Sequence, residues 1–185
     1  MSDIFIIHGT GSDPNQNWLP WLKEQLEAEG HTVFVPEFPT PEDQSLDSWM
    51  DVIGNYMKHI HEDTVFVGHS LGPAFILSLL ERLDVQVKLC VYVAGFTGNI
   101  GITEFDELND SFVNKEFDWE KIRQASKGFL VINSDDDPYV PLQNGKDLAA
   151  NLGVELDVMH GAGHINAESG FVMFEKLLGL LKEKL

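Results

Sequence analysis

The sequence predicts an α/β fold: a three-layer sandwich of about six parallel strands, in the order 2-1-3-4-5-6, with helices on both faces. Three observations lead there. Short β-rich runs alternate with longer helical stretches along the chain. The central runs are apolar throughout, as strands buried on both faces must be. Gly- or Asp-rich turns follow the first, third and fifth runs, at the edge where such sheets gather their sites. The 185 residues contain no internal repeat and no low-complexity linker, which suits a single domain over 1–185.

Each element has its own warrant. Ile4–Ile7 is an apolar strand, followed by the turn His8-Gly-Thr-Gly-Ser12. A helix follows over Trp18–Glu29, with Gly30 as its stop signal. Thr32–Val35 reads as the second strand and Leu46–His61 as the second helix. Thr64–Val67 is the third strand, and Leu71–Leu83 is long and apolar enough for a buried helix. Val87–Val93 is the fourth strand. A short helix over Trp119–Ala125 precedes the fifth strand, Gly128–Asn133, and Leu142–Asn151 forms the next helix. Val154–Met159 and a helix over Glu168–Lys184 close the chain. Segment 95–118 breaks the alternation with Gly95, Gly98 and Gly101, then a mixed acidic and aromatic stretch. A connection this long in a compact domain is expected to form a small cap or pocket wall, the alternative being an irregular surface loop.

Strand order 2-1-3 brings the ends of strands 1 and 3 together at the switch point. There the stretch Thr64-Val-Phe-Val-Gly-His-Ser-Leu-Gly-Pro-Ala74 has the form strand, Gly68-x-Ser70-x-Gly72, helix. This is the form of a nucleophile elbow, which holds a serine hydroxyl out on a sharp turn. The flanking glycines leave room where a Cβ would collide. Pro73 is tolerated in a first helical turn, whose N–H groups have no intrahelical partner.

A serine hydroxyl also needs a base, a carboxylate to orient that base, and donors for the oxyanion. Of the seven histidines, His31 precedes a strand, and His59 and His61 end a helix. His8 opens the first Gly-rich turn, and His69, beside Ser70, should point away. His160 and His164 follow the last strand, in Met159-His-Gly-Ala-Gly-His-Ile165. His164, farther out on the turn before the last helix, is the favoured base, with His160 the alternative. The carboxylate should arrive between serine and histidine. Strand 5 ends in Ser134-Asp-Asp-Asp-Pro-Tyr-Val-Pro141, and composition does not choose among Asp135, Asp136 and Asp137. The oxyanion donors are expected to be the N–H of Leu71, just after the serine, and that of Thr10, in the Gly-rich turn after strand 1. That turn lacks the Gly-Lys-Ser/Thr ending of a P-loop and the glycine spacing of a dinucleotide fingerprint. No cofactor and no metal are expected.

The formal charge of −18 repels nucleic acid and anionic membrane, so neither is an expected partner. The expected partner is a small acyl substrate; a protein partner is not readable from the sequence. The one cysteine, Cys90, lies in an apolar run and reads as a buried structural thiol. The first residues lack a basic stretch followed by a long apolar one, and no run approaches transmembrane length. A cytoplasmic, reducing setting is therefore expected. Trp18, Trp21, Phe38, Phe96, Phe105 and Phe112 are candidates for either pocket or core.

Taken together, His8-Gly-Thr-Gly-Ser12, Trp18-Leu-Pro-Trp-Leu22, Gly68-His-Ser-Leu-Gly72, Asp135-Asp-Asp-Pro-Tyr-Val-Pro141 and Gly161-Ala-Gly-His164 resemble the small serine hydrolases of the YdeN-like, retinoblastoma-binding-protein-nine-like family. The resemblance runs in order over nearly the whole chain; Pro73 is its one noted departure. It implies a compact α/β-hydrolase fold without the first antiparallel strands. It carries over Ser70 and His164 by motif, and it puts the acid in the Asp-Pro-aromatic-x-Pro turn, which selects Asp137. The expected activity is hydrolysis of small carboxylic esters through an acyl-enzyme on Ser70, in the carboxylesterase-like class. The alternatives are a protein-interaction module with vestigial catalysis, and a thioesterase or acyltransferase using the same triad.

Overall fold

The computed structural model describes residues 1–185. Six strands, β1 (Asp3–Ile7), β2 (Thr32–Phe34), β3 (Val65–His69), β4 (Leu89–Val93), β5 (Phe129–Ser134) and β6 (Leu156–Met159), form one sheet in the order β2-β1-β3-β4-β5-β6. Every neighbouring pair is parallel. The expected order is the one found. The central strands β3 and β4 are buried at every residue, which explains their unbroken apolar character.

Seven helices cover the sheet: α1 (Leu19–Ala28), α2 (Leu46–Gly54), α3 (Gly72–Leu80), α4 (Thr103–Val113), α5 (Trp119–Gln124), α6 (Leu142–Leu152) and α7 (Glu175–Lys184). Two separate cores mark the two faces. Leu19, Leu22 and Leu26 of α1 and Leu177, Leu178 and Leu181 of α7 pack on one face, against Ile4, Ile6, Val65, Val67 and Val91. Buried side chains of α2 through α6 pack on the other, against Phe5, Ile7, Phe66, Cys90 and Tyr92. Alternate residues of one strand thus feed opposite cores, as the pleat requires.

The structure and the sequence reading differ most at two helix boundaries and in segment 95–118. The second helix stops at Gly54 rather than running to His61, and a 3-10 turn covers Met57–His59. Gly54 and Asn55 are weak helix formers, and Asn55 ends the helix by turning its amide back to the Asp51 and Val52 carbonyls. The last helix begins at Glu175 rather than Glu168, because Gly170 adopts φ +90° and halts the 3-10 turn at Ala167–Ser169. Segment 95–118 is not irregular throughout. It contains α4, whose first turn carries Glu104 and Asp106, the sign favoured at a helix N-terminus.

α4 packs on α3 through an aromatic cluster. Trp49 stacks on Phe38 (ring centroids 4.5 Å) and meets Phe75 edge-on (5.4 Å) and Phe112 edge-on (5.0 Å). All four side chains are buried. Phe75, fully enclosed on α3, links α2 to the sheet-covering helix, so Phe75→Ala should cost about 3–5 kcal/mol. Urea unfolding should show a lower midpoint at an unchanged slope.

Candidate active site

Ser70 sits at the reversal between β3 and α3, with φ +58°, in the left-handed region that side chains rarely adopt. Its N–H donates to the Val93 carbonyl at 2.9 Å, which ties the turn to the neighbouring strand β4. The glycines on either side have no room for a side chain. A Cβ on Gly68 would lie 2.7 Å from the Pro73 nitrogen, and one on Gly72 would lie 2.6 Å from the Ile7 carbonyl oxygen. Pro73 stands at the start of α3, where a missing N–H leaves no bond unmade.

Two further strand ends converge on this turn. His164, on the turn after β6, approaches Ser70 with Nε2 3.1 Å from Oγ. Its Nδ1 lies 2.8 Å from Oδ2 of Asp137, in the turn after β5. The Asp137 side chain is wholly buried. Its other oxygen accepts from the Tyr139 and Val140 N–H groups at 2.9 and 3.0 Å. A buried carboxylate with two backbone donors and an imidazole partner is fully hydrogen-bonded and held in a fixed orientation. It accepts a hydrogen bond from Nδ1–H and leaves the Nε2 lone pair facing the serine hydroxyl.

The neighbouring aspartates are occupied elsewhere. Asp136 accepts from the Ser134 hydroxyl (2.7 Å) and the Gly163 N–H (2.7 Å), and these bonds hold its carboxyl below the usual range. Asp135 pairs with His160 (2.5 Å) and accepts from the Gly161 N–H, again with a lowered pKa, the His160 contact being the larger cause. His160 is therefore turned outward on the surface, 82% exposed, while His164 faces the serine. Asp135 and Asp136 brace the loop that presents His164.

His69 departs from its expected role. It does not point away from this region: its ring packs 5.0 Å from that of His164, and its Nε2 donates to the His164 carbonyl at 3.0 Å. It is a buried strut beneath the base. Burial pushes its pKa down to about 3, with the nearby His164 ring acting in the same direction. His8 is a second strut, with Nδ1–H donating to the Gly9 carbonyl (2.9 Å) and Nε2 accepting from the Phe38 N–H (3.0 Å). Those two bonds fit only a neutral ring, and burial lowers its pKa as well.

The turn after β1 lies directly against Ser70. A Cβ on Gly9 would fall 2.6 Å from the Ser70 Cβ. The N–H groups of Thr10 and Leu71 donate to no acceptor within the chain, so both stay free for a ligand. Beside them opens a cavity of about 660 Å³, a volume suited to a small molecule. Ser70, His164, Phe96, Phe105, Tyr139 and Asn109 are among its walls. No lysine or arginine lines it. Of the six aromatic candidates, Phe96 and Phe105 reach the cavity, while Trp18, Phe38 and Phe112 are core. Trp21 packs, half-buried, on the opposite face core. Asn109 was not singled out in the sequence, and neither was Gln44, which touches it across 65 positions. Residues so far apart leave no local pattern.

The family model described as serine hydrolase matches residues 4–183. The chain belongs to the serine hydrolase family. Among its relatives, the Bacillus subtilis protein YdeN is 36% identical over 171 residues, which cover 91% of this chain and 88% of YdeN. The serine hydrolase RBBP9 of Rattus norvegicus is 24% identical over 180 residues, covering 96% of this chain and 91% of RBBP9. The crystal structure of the ydeN gene product superposes with a TM-score of 0.93 at 31% identity, covering 100% of this chain and 98% of that one. Est1E from Butyrivibrio proteoclasticus, at 16% identity and a TM-score of 0.74, covers 99% of this chain and 88% of its own, and shares the fold. This serine hydrolase has the α/β-hydrolase architecture, and no helix in it is long and apolar enough to cross a membrane.

The buried histidines set a pH dependence of stability. Below about pH 6.5 the unfolded chain takes up a proton at His69 that the folded chain refuses until about pH 3. Stability should therefore fall on acidification through that window, by up to about 1.4 kcal/mol per pH unit from this one group. His8 acts in the same direction. Urea unfolding at a series of pH values should show the fall, and His69→Gln, which can still donate to the His164 carbonyl, should flatten it.

Proposed function

We propose that this serine hydrolase cleaves small carboxylic esters through an acyl-enzyme on Ser70. The observation that carries the reading is the unbroken hydrogen-bond chain from Ser70 Oγ through both nitrogens of His164 to Asp137. Ser70 Oγ attacks the carbonyl carbon while His164 Nε2 takes the hydroxyl proton. Asp137 holds the imidazole in the required tautomer and stabilises its charged form. The N–H groups of Leu71 and Thr10 receive the developing oxyanion. His164 returns the proton to the departing alkoxide, which leaves as the alcohol. Water then attacks the acyl-enzyme while His164 takes its proton, and as the bond to Ser70 Oγ breaks His164 returns that proton to Oγ and the acid departs. The sequential order Ser70, Asp137, His164 agrees with the parallel-sheet hydrolases.

The 660 Å³ cavity beside Ser70 supports a small acyl substrate, and its lack of cationic side chains disfavours strongly anionic ones. Segment 95–118, through Phe96, Ile100, Phe105 and Asn109, is in this reading the wall of that pocket. A complete triad with a buried, fully satisfied carboxylate argues against decay to a pure interaction module. Transfer of the acyl group to a thiol or amine acceptor would use the same machinery, and product analysis separates it from hydrolysis.

Purified protein should form a fluorophosphonate adduct on Ser70 and hydrolyse short chromogenic esters. Ser70→Ala should lose the adduct and cut kcat on the order of 10⁴-fold or more. Asp137→Asn should cut kcat by about 10⁴-fold with the fold intact. Retained turnover in Ser70→Ala would reject the mechanism.

A further inference from the structure

Asn109 of α4 is 2% exposed, yet it lines the cavity that holds Ser70. Its carboxamide orientation is fixed by its neighbours. Gln44 Nε2 donates to the Leu108 carbonyl at 3.0 Å, and a carbonyl can only accept, so this end of Gln44 must be its amide nitrogen. The same nitrogen lies 3.0 Å from the nearer Asn109 atom, which must therefore be the oxygen, Oδ1. The Thr10 hydroxyl donates to that oxygen as well, at 2.6 Å. Gln44 is itself anchored, since its Oε1 accepts from Thr40 Oγ1 at 2.5 Å, and Thr40 Oγ1 accepts from the Gly11 N–H at 2.7 Å. Both acceptor sites of Asn109 Oδ1 are thus occupied by side chains of the protein, Thr10 and Gln44.

The consequence falls on the other half of the carboxamide. Asn109 Nδ2 makes no hydrogen bond within the chain and is not among the side-chain atoms sealed from solvent. A nearly buried side chain with its oxygen doubly held presents two unpartnered N–H groups to a cavity that also contains the reacting hydroxyl. Water can reach this donor in the cavity, but a ligand that displaces the water leaves it unpaired unless the ligand supplies an acceptor, so a ligand that does is favoured.

We infer that Asn109 is a substrate-binding residue, donating through Nδ2 to an uncharged oxygen acceptor carried by the ester beyond its reacting carboxyl group. The inference rests on the hydrolase reading of Ser70. The substrate class is an oxygen-bearing acyl ester, such as an alkoxy- or oxo-acyl ester, rather than a plain alkyl one. A site built to donate to such an oxygen rejects the analogue that lacks it, because the donor is then left unpaired. Gln44 is the positioning residue that turns the amide nitrogen toward the cavity.

The test compares p-nitrophenyl esters whose acyl chains carry an ether or keto oxygen at successive positions with their alkyl isosteres. The native enzyme should prefer one or more oxygen-bearing esters over the matched alkyl ester by about 10- to 100-fold in kcat/KM, after correction for intrinsic reactivity. Asn109→Asp keeps an oxygen for Thr10 and Gln44 but replaces the donor with an acceptor, so it should erase that preference. Any loss of overall turnover from the added charge beside Thr10 falls on both ester types, so the readout is their ratio. Asn109→Leu should erase the preference too, with any loss from the disturbed Thr10 turn shared by both ester types. Thermal melting identifies a variant that fails to fold, and the native preference is read independently of either variant. A native enzyme that turns over esters through Ser70 with no preference for the acyl oxygen overturns the inference alone, as does a preference that survives in Asn109→Asp. A native enzyme with no Ser70-dependent turnover overturns the hydrolase reading and this inference with it.

Discussion

The backbone contact between the turn after β1 and the turn after β3 is the constraint on which the rest of this structure depends. Gly9 lies so close to Ser70 that a methyl group at Gly9 would clash with the Ser70 Cβ at 2.6 Å. That approach needs β1 and β3 to be adjacent and parallel, with Ile7 in register with Gly68. It also needs a serine at positive φ and glycines at 68 and 72. Once those hold, the turns that carry Thr10 and Leu71 lie side by side, and the oxyanion donors of the proposed reaction come from adjacent strand ends. Strand pairing supplies the rigidity that a loop alone would lack.

Around that contact the protein uses neutral histidines as struts. His8 joins the first turn to the backbone at Phe38, and His69 joins the elbow to the backbone of His164. Each spans two loops from different strand ends with directional bonds, in surroundings that exclude a charged ring. Asp135 and Asp136 do comparable work in solvent, bracing the loop of His164 through Gly161 and Gly163. The turn around Ser70 and His164 is held by polar bonds at each strand end, while the apolar cores lie on the two sheet faces.

Much of this was legible in the sequence, and the exceptions have physical causes. The six strands and their order could be read because buried parallel strands must be apolar and the connections between them are helical. Ser70 and His164 could be read from chain order and turn chemistry. Asp137 could not be separated from Asp135 and Asp136 by composition, since three adjacent carboxylates differ only in which way each turns. The family resemblance selected Asp137, and the structure puts that residue against His164. α4 was obscured by three preceding glycines and an acidic surface, although Phe112 and Val113 bury against the core. Gln44 and Asn109 gave no signal at all, because the bonds that join Gln44 to α4 connect positions that are neighbours only after folding.

The sheet ends where it has little left to pair. β2, at one margin, is three residues long, and β6, at the other, is four. Lys176 of α7 reaches across to Asp157 on β6 at 2.6 Å, setting a charged clasp on that margin. An open row of amide and carbonyl groups is a template on which a second chain can grow, and brevity with charge denies it length. Strands β3 and β4, buried at every residue, occupy the middle of the sheet, away from both short margins.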